Sequence, residues 1–192
     1  MATLLPADFD LTLLPTSEQR VCKARLLGLD ASWFVVPSVP IVVDGTDCEI
    51  DVVLVSPHRG VIAVEVKGGV ISIEKGRWIQ NGYPLSKSPT QQITKAKHNL
   101  MKRLRSTGVE LEGMFVCHAV ALPDVGSVPP GGLGPDTPAE TVFAKPQLEF
   151  PTVAVNGLLR EHGPIPPERI ARLLAALRPD IALEGDEGQV LQ

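Results

Sequence analysis

EIDVVLVSPHRGVIAVEVKGG, residues 49–69, is the stretch on which the fold is decided. It reads as two short β-strands, about Glu49 to Val55 and about Gly60 to Lys67. Ser56, Pro57, His58, Arg59 and Gly60 supply the turn between them. Both strands are rich in Val and Ile, which predicts deep burial. Three charged residues interrupt them: Asp51, Glu65 and Lys67. Side chains alternate faces along a strand, so Glu65 and Lys67 share one face with Val61 and Ala63, about 7 Å apart. A hairpin brings Asp51 beside Glu65. Two acids and a lysine then converge at one end of an apolar sheet. Close carboxylates repel, and a divalent cation is a common way to hold them together. The bland alternative is a buried salt-bridge cluster, a weak source of stability.

Working outward, Thr16 with Gln19 fits a capping box at the start of a helix over Ser17 to Leu27. Its apolar stripe is Val21, Ala24 and Leu27, with Gly28 as the stop. Glu18 lies beside that stripe, either as a first-turn acid favourable to the helix dipole or as an accessory acid of the site. Residues 1–15 suit a strand or an extended arm. Residues 33–43, WFVVPSVPIVV, predict a strand whose Pro37 and Pro40 confine it to an edge or a bulge.

After Lys67, Gly68 and Gly69 allow a tight bend or a close approach. VISIEKGRWIQ then reads as a hairpin turning at Lys75-Gly76, with Trp78 packed over the sheet. The next helix is well marked. Ser88 suits N-cap, Pro89 suits N1 and Gln91 suits N3 of a capping box. Its buried stripe is Ile93, Ala96, Leu100, Met101 and Leu104. Gln91 being occupied as a cap, Gln92 is free to face the sheet. Lys95, Lys102 and Arg105 lie opposite, with Lys97, His98 and Arg103 nearby, the most basic segment of the chain. It reads as a solvated face or, as a cluster, as phosphate contacts.

MFVCHAVAL, residues 114–122, is a buried strand in which His118 reads as a core residue. Residues 123–138 form a Pro/Gly-rich loop, and residues 139–192 an extension packing on the core. In that extension we expect a short strand over Ala139 to Ala144, helices over Pro151 to Glu161 and Pro167 to Leu177, and a polar tail.

The ordered set of helix Glu18, strand Asp51, Glu65-Val66-Lys67 and helix Gln92 after Ser88-Pro89 resembles the nuclease-related domain (NERD) family of the PD-(D/E)xK nuclease superfamily. The resemblance covers roughly residues 16–122, and Ser88 replaces the Asn of the family's Asn-Pro-x-x-Gln. It implies an α/β fold of restriction-endonuclease type, a mixed, mainly antiparallel sheet flanked by helices, with a core over residues 1–122 and a small helical C-terminal extension. It further implies a metal-dependent nuclease that cleaves or nicks DNA (RNA being a second substrate) in DNA processing, repair or defence. Asp51, Glu65 and the Val66 carbonyl would bind Mg²⁺ or Mn²⁺. Lys67 and Gln92 would position water and stabilise charge, and Glu18 would assist. Lys95, Lys97 and Lys102 are the candidates for nucleic-acid contact. The alternative is a non-catalytic nucleic-acid-binding module or an accessory domain of a helicase-containing protein.

Composition bounds these expectations. A chain of 192 residues, 44% hydrophobic, can bury a core. A net charge of −4 argues against a broadly basic surface, so nucleic acid would be met by a local patch or a metal. Cys22, Cys48 and Cys117 are scattered and odd in number, which points to free thiols in a reducing, cytoplasmic setting. Neither a signal peptide nor a membrane span is expected. The chain holds no G-x-x-x-x-G-K-[ST] loop, so a helicase would be a partner rather than this chain itself.

Overall fold

A computed structural model describes residues 1–25, 28–161 and 163–179. Its centre is the expected hairpin. β3 (Thr46–Ser56) and β4 (Gly60–Val66) pair antiparallel from Ser56–Gly60 to Val52–Val64. β4 is buried along its whole length, because it is a central strand with neighbours on both edges and packing on both faces. Gly60 opens it at φ +110°, where a Cβ would lie 2.2 Å from the Phe115 carbonyl oxygen. Only glycine fits that turn.

The sheet has six strands in the order β1-β2-β3-β4-β8-β9. β1 (Thr3–Leu4) is the N-terminal arm, laid parallel on β2 (Phe34–Val43). β2 carries Pro37 and Pro40, as a strand shielded at its outer edge by only two residues can. β8 (Val116–Leu122) runs parallel to β4, and β9 (Val142–Ala144) runs parallel to β8. The sheet is therefore mixed, as expected: β2–β3 and β3–β4 pair antiparallel over its longest ladders, and the other three junctions are parallel. The reason is α2 (Pro89–Ser106), which carries the chain back across the sheet so that β8 starts at the same end as β4. A separate three-stranded ribbon, β5 (Ile71–Glu74), β6 (Arg77–Gln80) and β7 (Tyr83–Pro84), fills the excursion between β4 and α2.

Two apolar layers sandwich the sheet. On one face Ile93, Ala96, Leu100 and Leu104 of α2 pack on Val53, Val55, Val61, Ala63 and Val120, together with Trp78 of the ribbon. Ile170, Leu173 and Leu177 of α5 (Pro167–Leu177) join this layer. On the other face Val21, Cys22 and Trp33 pack on Val35, Val52, Leu54, Ile62, Val64 and Val66, with Leu148 of α3 (Lys145–Glu149) and Val155 of α4 (Pro151–Leu158).

Several local expectations need correction. The first helix, α1, is α-helical only over Thr16–Arg20, then widens into a π turn over Val21–Arg25. Its N-cap is Pro15, which has no side-chain oxygen, so no capping box forms. Gln19 Nε2 instead donates to the Leu14 carbonyl at 2.9 Å. Leu27 and the polar tail lie outside the described residues, as does the Ala24 side chain. Met101 is only half-buried, and the helix expected over Pro151 to Glu161 ends at Leu158. The segment beyond residue 138 supplies a sheet strand as well as helices, α3 among them unforeseen. Among the described residues, no helix is long and apolar enough to cross a membrane.

Candidate functional site

Asp51 sits where two ladders falter. In the β2–β3 register, Ser38 should face Asp51, and that is the one pair missing between Phe34–Val55 and Val43–Thr46. Ser38 adopts φ +50°, a left-handed turn inside the strand. Past this point the face pattern of β3 changes parity: Ile50 packs in the same layer as Val53 and Val55. The β3–β4 ladder also ends one residue before Asp51, at Val52–Val64. Freed from both ladders, the Asp51 carboxylate takes the main-chain role itself, and the Val66 N–H donates to its Oδ2 at 2.6 Å. The kink has a brace at its back, since the Arg178 guanidinium donates to the carbonyls of Pro37 and Ser38.

Glu65 and Lys67 follow by strand alternation. Glu65 is 6% exposed, and Lys67 Nζ lies 2.6 Å from its Oε1. The Val66 N–H points toward β3, and within a strand the carbonyl of the same residue points the same way. The Val66 carbonyl is thus directed past the end of the ladder, to the side of Asp51.

Glu18 comes from α1 and lies within the electrostatic reach of Glu49, Glu65 and Lys67. It is 8% exposed, and its Oε2 is buried with no hydrogen-bond partner. Burial pushes its pKa up to about 7, with Glu49 and Glu65 adding repulsion and Lys67 opposing. Asp51 is likewise pushed up to about 7, by burial first and then by Glu65; the Val66 N–H pulls the other way. The Cys22 thiol beneath them rises to about 12, through burial and then the charges of Glu18 and Asp51. Four acids, Glu18, Glu49, Asp51 and Glu65, therefore share one electrostatic neighbourhood with one lysine.

What brings α1 here is a clamp that the sequence alone did not reveal. Asp124, just past β8, makes a two-pronged ion pair with Arg20 of α1, with both N–O distances 2.8 Å. The same carboxylate accepts from the Gly69 N–H at 2.7 Å. Burial opposes, but these donors hold Asp124 below the usual carboxylate range. Gly68 lets the surfaces close: a Cβ there would stand 2.6 Å from the Ser17 Cβ. No local pattern marks Arg20 and Asp124, which are 104 residues apart. Glu49 did carry a signal, its i, i+2 spacing to Asp51.

The opposite wall is α2. Its capping box forms as expected: Ser88 Oγ accepts from the Gln91 N–H at 3.1 Å and Gln91 Oε1 from the Ser88 N–H at 3.3 Å. One turn in, Gln92 is half-buried and faces the acids. A cleft of about 270 Å³ results, with Asp47, Glu49, Asp51 and Glu65 on the sheet side and Lys87, Gln91, Gln92 and Lys95 on the helix side. Of the three candidate lysines only Lys95 lines it. Lys102 lies two turns further on and pairs with Asp44 at 3.4 Å. Lys97 turns inward, its Nζ 3.3 Å from His118 Nδ1. His118 is thus a partnered strand residue, and burial followed by Lys97 lowers its pKa.

The donor set suits a hard cation. The Asp51 and Glu65 carboxylates, a main-chain carbonyl and the unpartnered Glu18 oxygen are all oxygen ligands of the Mg²⁺ or Mn²⁺ type. Among the described residues, no three His, Cys, Asp or Glu side chains already converge on one ion position. Asp51, Glu65 and the Val66 carbonyl are the residues that could hold such an ion, with waters completing the shell as Mg²⁺ prefers.

A family model described as nuclease-related domain matches residues 16–123. No curated protein and no solved structure matches the chain.

Proposed function

The chain belongs to the nuclease-related domain family, and from that premise we propose that it is a metal-dependent phosphodiesterase that cleaves or nicks DNA. The observation that carries the reading is the convergence of Asp51, Glu65 and Lys67 at the point where β3 and β4 part, with Lys67 Nζ 2.6 Å from Glu65 Oε1.

Asp51 and Glu65, with the Val66 carbonyl, are the residues to hold Mg²⁺ or Mn²⁺. Such an ion lowers the pKa of a water and neutralises charge on the scissile phosphate. Glu65 holds the Lys67 ammonium at 2.6 Å, and Lys67 would donate to the attacking water and to the phosphate oxygens on which charge builds. Lysine serves here as a hydrogen-bond donor, its Nζ already 2.6 Å from the Glu65 carboxylate. The Gln92 amide orients the water from the helix side. Glu18 adds negative potential near Lys67. Recognition is expected to run through the phosphate backbone, with weak sequence preference. The work such an enzyme would do is DNA processing, repair or defence, with RNA as a second substrate and a helicase as a partner.

The second reading is a non-catalytic nucleic-acid-binding module or an accessory domain of a helicase-containing protein.

The deciding experiment mixes purified protein with supercoiled plasmid and with single-stranded DNA, in Mg²⁺, Mn²⁺ or EDTA, beside Lys67→Ala and Asp51→Ala. Cleavage that requires metal and is lost in both variants is the expected result. Full activity in either variant would sink the assignment. Binding without cleavage under every condition would favour the second reading.

A further inference from the structure

The cleft beside the acids has two walls of opposite charge, and the basic wall is not the set of lysines that helical spacing singles out. Lys87 and Lys95 both line the cleft that Asp51 and Glu65 line. Lys87 precedes the N-cap Ser88; Lys95 stands two turns into α2. From Ser88 to Lys95 the helix axis advances roughly 10 Å at 1.5 Å per residue. The two ammonium groups are therefore anchored at separate places along the cleft and do not share one position. Both side chains are exposed, and among the described residues neither makes an ion pair. Lys102 is engaged by Asp44, and Lys97 by His118. A second groove of about 440 Å³ continues from Lys95 along α2, past Thr94 and His98.

We infer that Lys87 and Lys95 form a phosphate clamp that holds a nucleic-acid strand across the first two turns of α2, with the phosphates on either side of the reacting one against these two ammonium groups. The inference rests on the nuclease reading above and adds the path of the strand. With a net charge of −4 and an acidic pocket, the chain meets a polyanion through local groups of cations, and Lys87 and Lys95 are the pair that line the cleft. Lys97, turned inward onto His118, and Lys102, paired with Asp44, do not line the cleft and contribute little.

The test is fluorescence anisotropy of a labelled single-stranded oligonucleotide, titrated with salt in Ca²⁺ and again in EDTA. Lys87→Gln, Lys95→Gln, Lys97→Gln and Lys102→Gln are compared with the unaltered protein. Lys87→Gln and Lys95→Gln are expected each to weaken binding several-fold. Each should also lower the slope of log K against log salt by about 0.7, the share of one phosphate contact on a single strand. The other two variants should track the unaltered protein. If the unaltered protein binds and both clamp variants keep its affinity and slope, the clamp is overturned while the nucleic-acid reading stands. If the unaltered protein fails to bind in either medium, both fall together.

Discussion

Replacing Gly68 with Ala tests whether the close approach of α1 positions the site. The backbone at Gly68 is not in the left-handed region, so alanine can adopt its conformation. The obstacle is a Cβ placed 2.6 Å from the Ser17 Cβ, where ordinary contact begins near 3.4 Å. The Ser17 Cβ is fixed to the α1 backbone and cannot rotate away, so the helix must retreat by about 0.8 Å, the difference between those two separations. Overpacking of this kind costs about 1–3 kcal/mol. Stiffening the unfolded chain returns about 0.4–1 kcal/mol. The net loss expected in urea unfolding is therefore about 1–2 kcal/mol. Removing the opposing atom should cancel most of it, so Gly68→Ala should cost far less in a Ser17→Gly background, a coupling of about 1 kcal/mol. Because Glu18 follows Ser17, the same retreat draws its carboxylate away from Glu65 and Lys67. A displacement near 1 Å can cost about 10²-fold in rate, which the plasmid assay reads. An equal cost of Gly68→Ala in both backgrounds would refute the steric argument. Undiminished cleavage despite the stability loss would refute the positioning role of α1.

Two further outcomes follow from the same geometry. Asp51 and Glu18 both titrate near 7 in the metal-free fold, above their unfolded values near 4. The native state then holds more protons than the unfolded chain between about pH 4 and 7, so stability should fall as pH rises through that window. Thermal unfolding in EDTA should show that fall, Asp51→Asn should flatten it, and a Tm that rises instead would contradict the assignment. Ser88→Ala removes the N-cap oxygen of α2 and should lower stability by about 1 kcal/mol; a urea midpoint unchanged from the parent would show the cap to be idle.

Local chemistry was what the sequence made legible. The β3–β4 hairpin, the shared face of Glu65 and Lys67 and the start of α2 depend on residues within a few positions of one another. They appear where alternation and capping rules put them. What stayed hidden depends on distant partners. The kink at Ser38 and Asp51 exists because two strands deviate together, and neither sequence alone announces it. Lys97 sits on the flank of a helical wheel, and only the position of His118 on β8 decides that it turns inward. A mixed sheet was expected, but which strands run parallel was not legible, because α2 reads as a helix without saying which end of the sheet receives the returning strand. The π turn after Arg20 breaks the 3.6-residue period on which the longer helix was drawn.

The Arg178 contact gives the far end of the chain a say in the chemistry. The matched family segment stops at residue 123, yet the guanidinium that holds Pro37 and Ser38 comes from beyond α5, 140 residues later than Ser38. Residues in the last turn of α5 can therefore drift, or be displaced by a neighbouring protein, and be felt behind Asp51 without anything touching the cleft. A survey of substitutions that looked only inside the family boundary would miss those positions. Tuning of the acid pair by changes near Leu177 and Arg178 would then look like action at a distance, although a single side chain spans the gap.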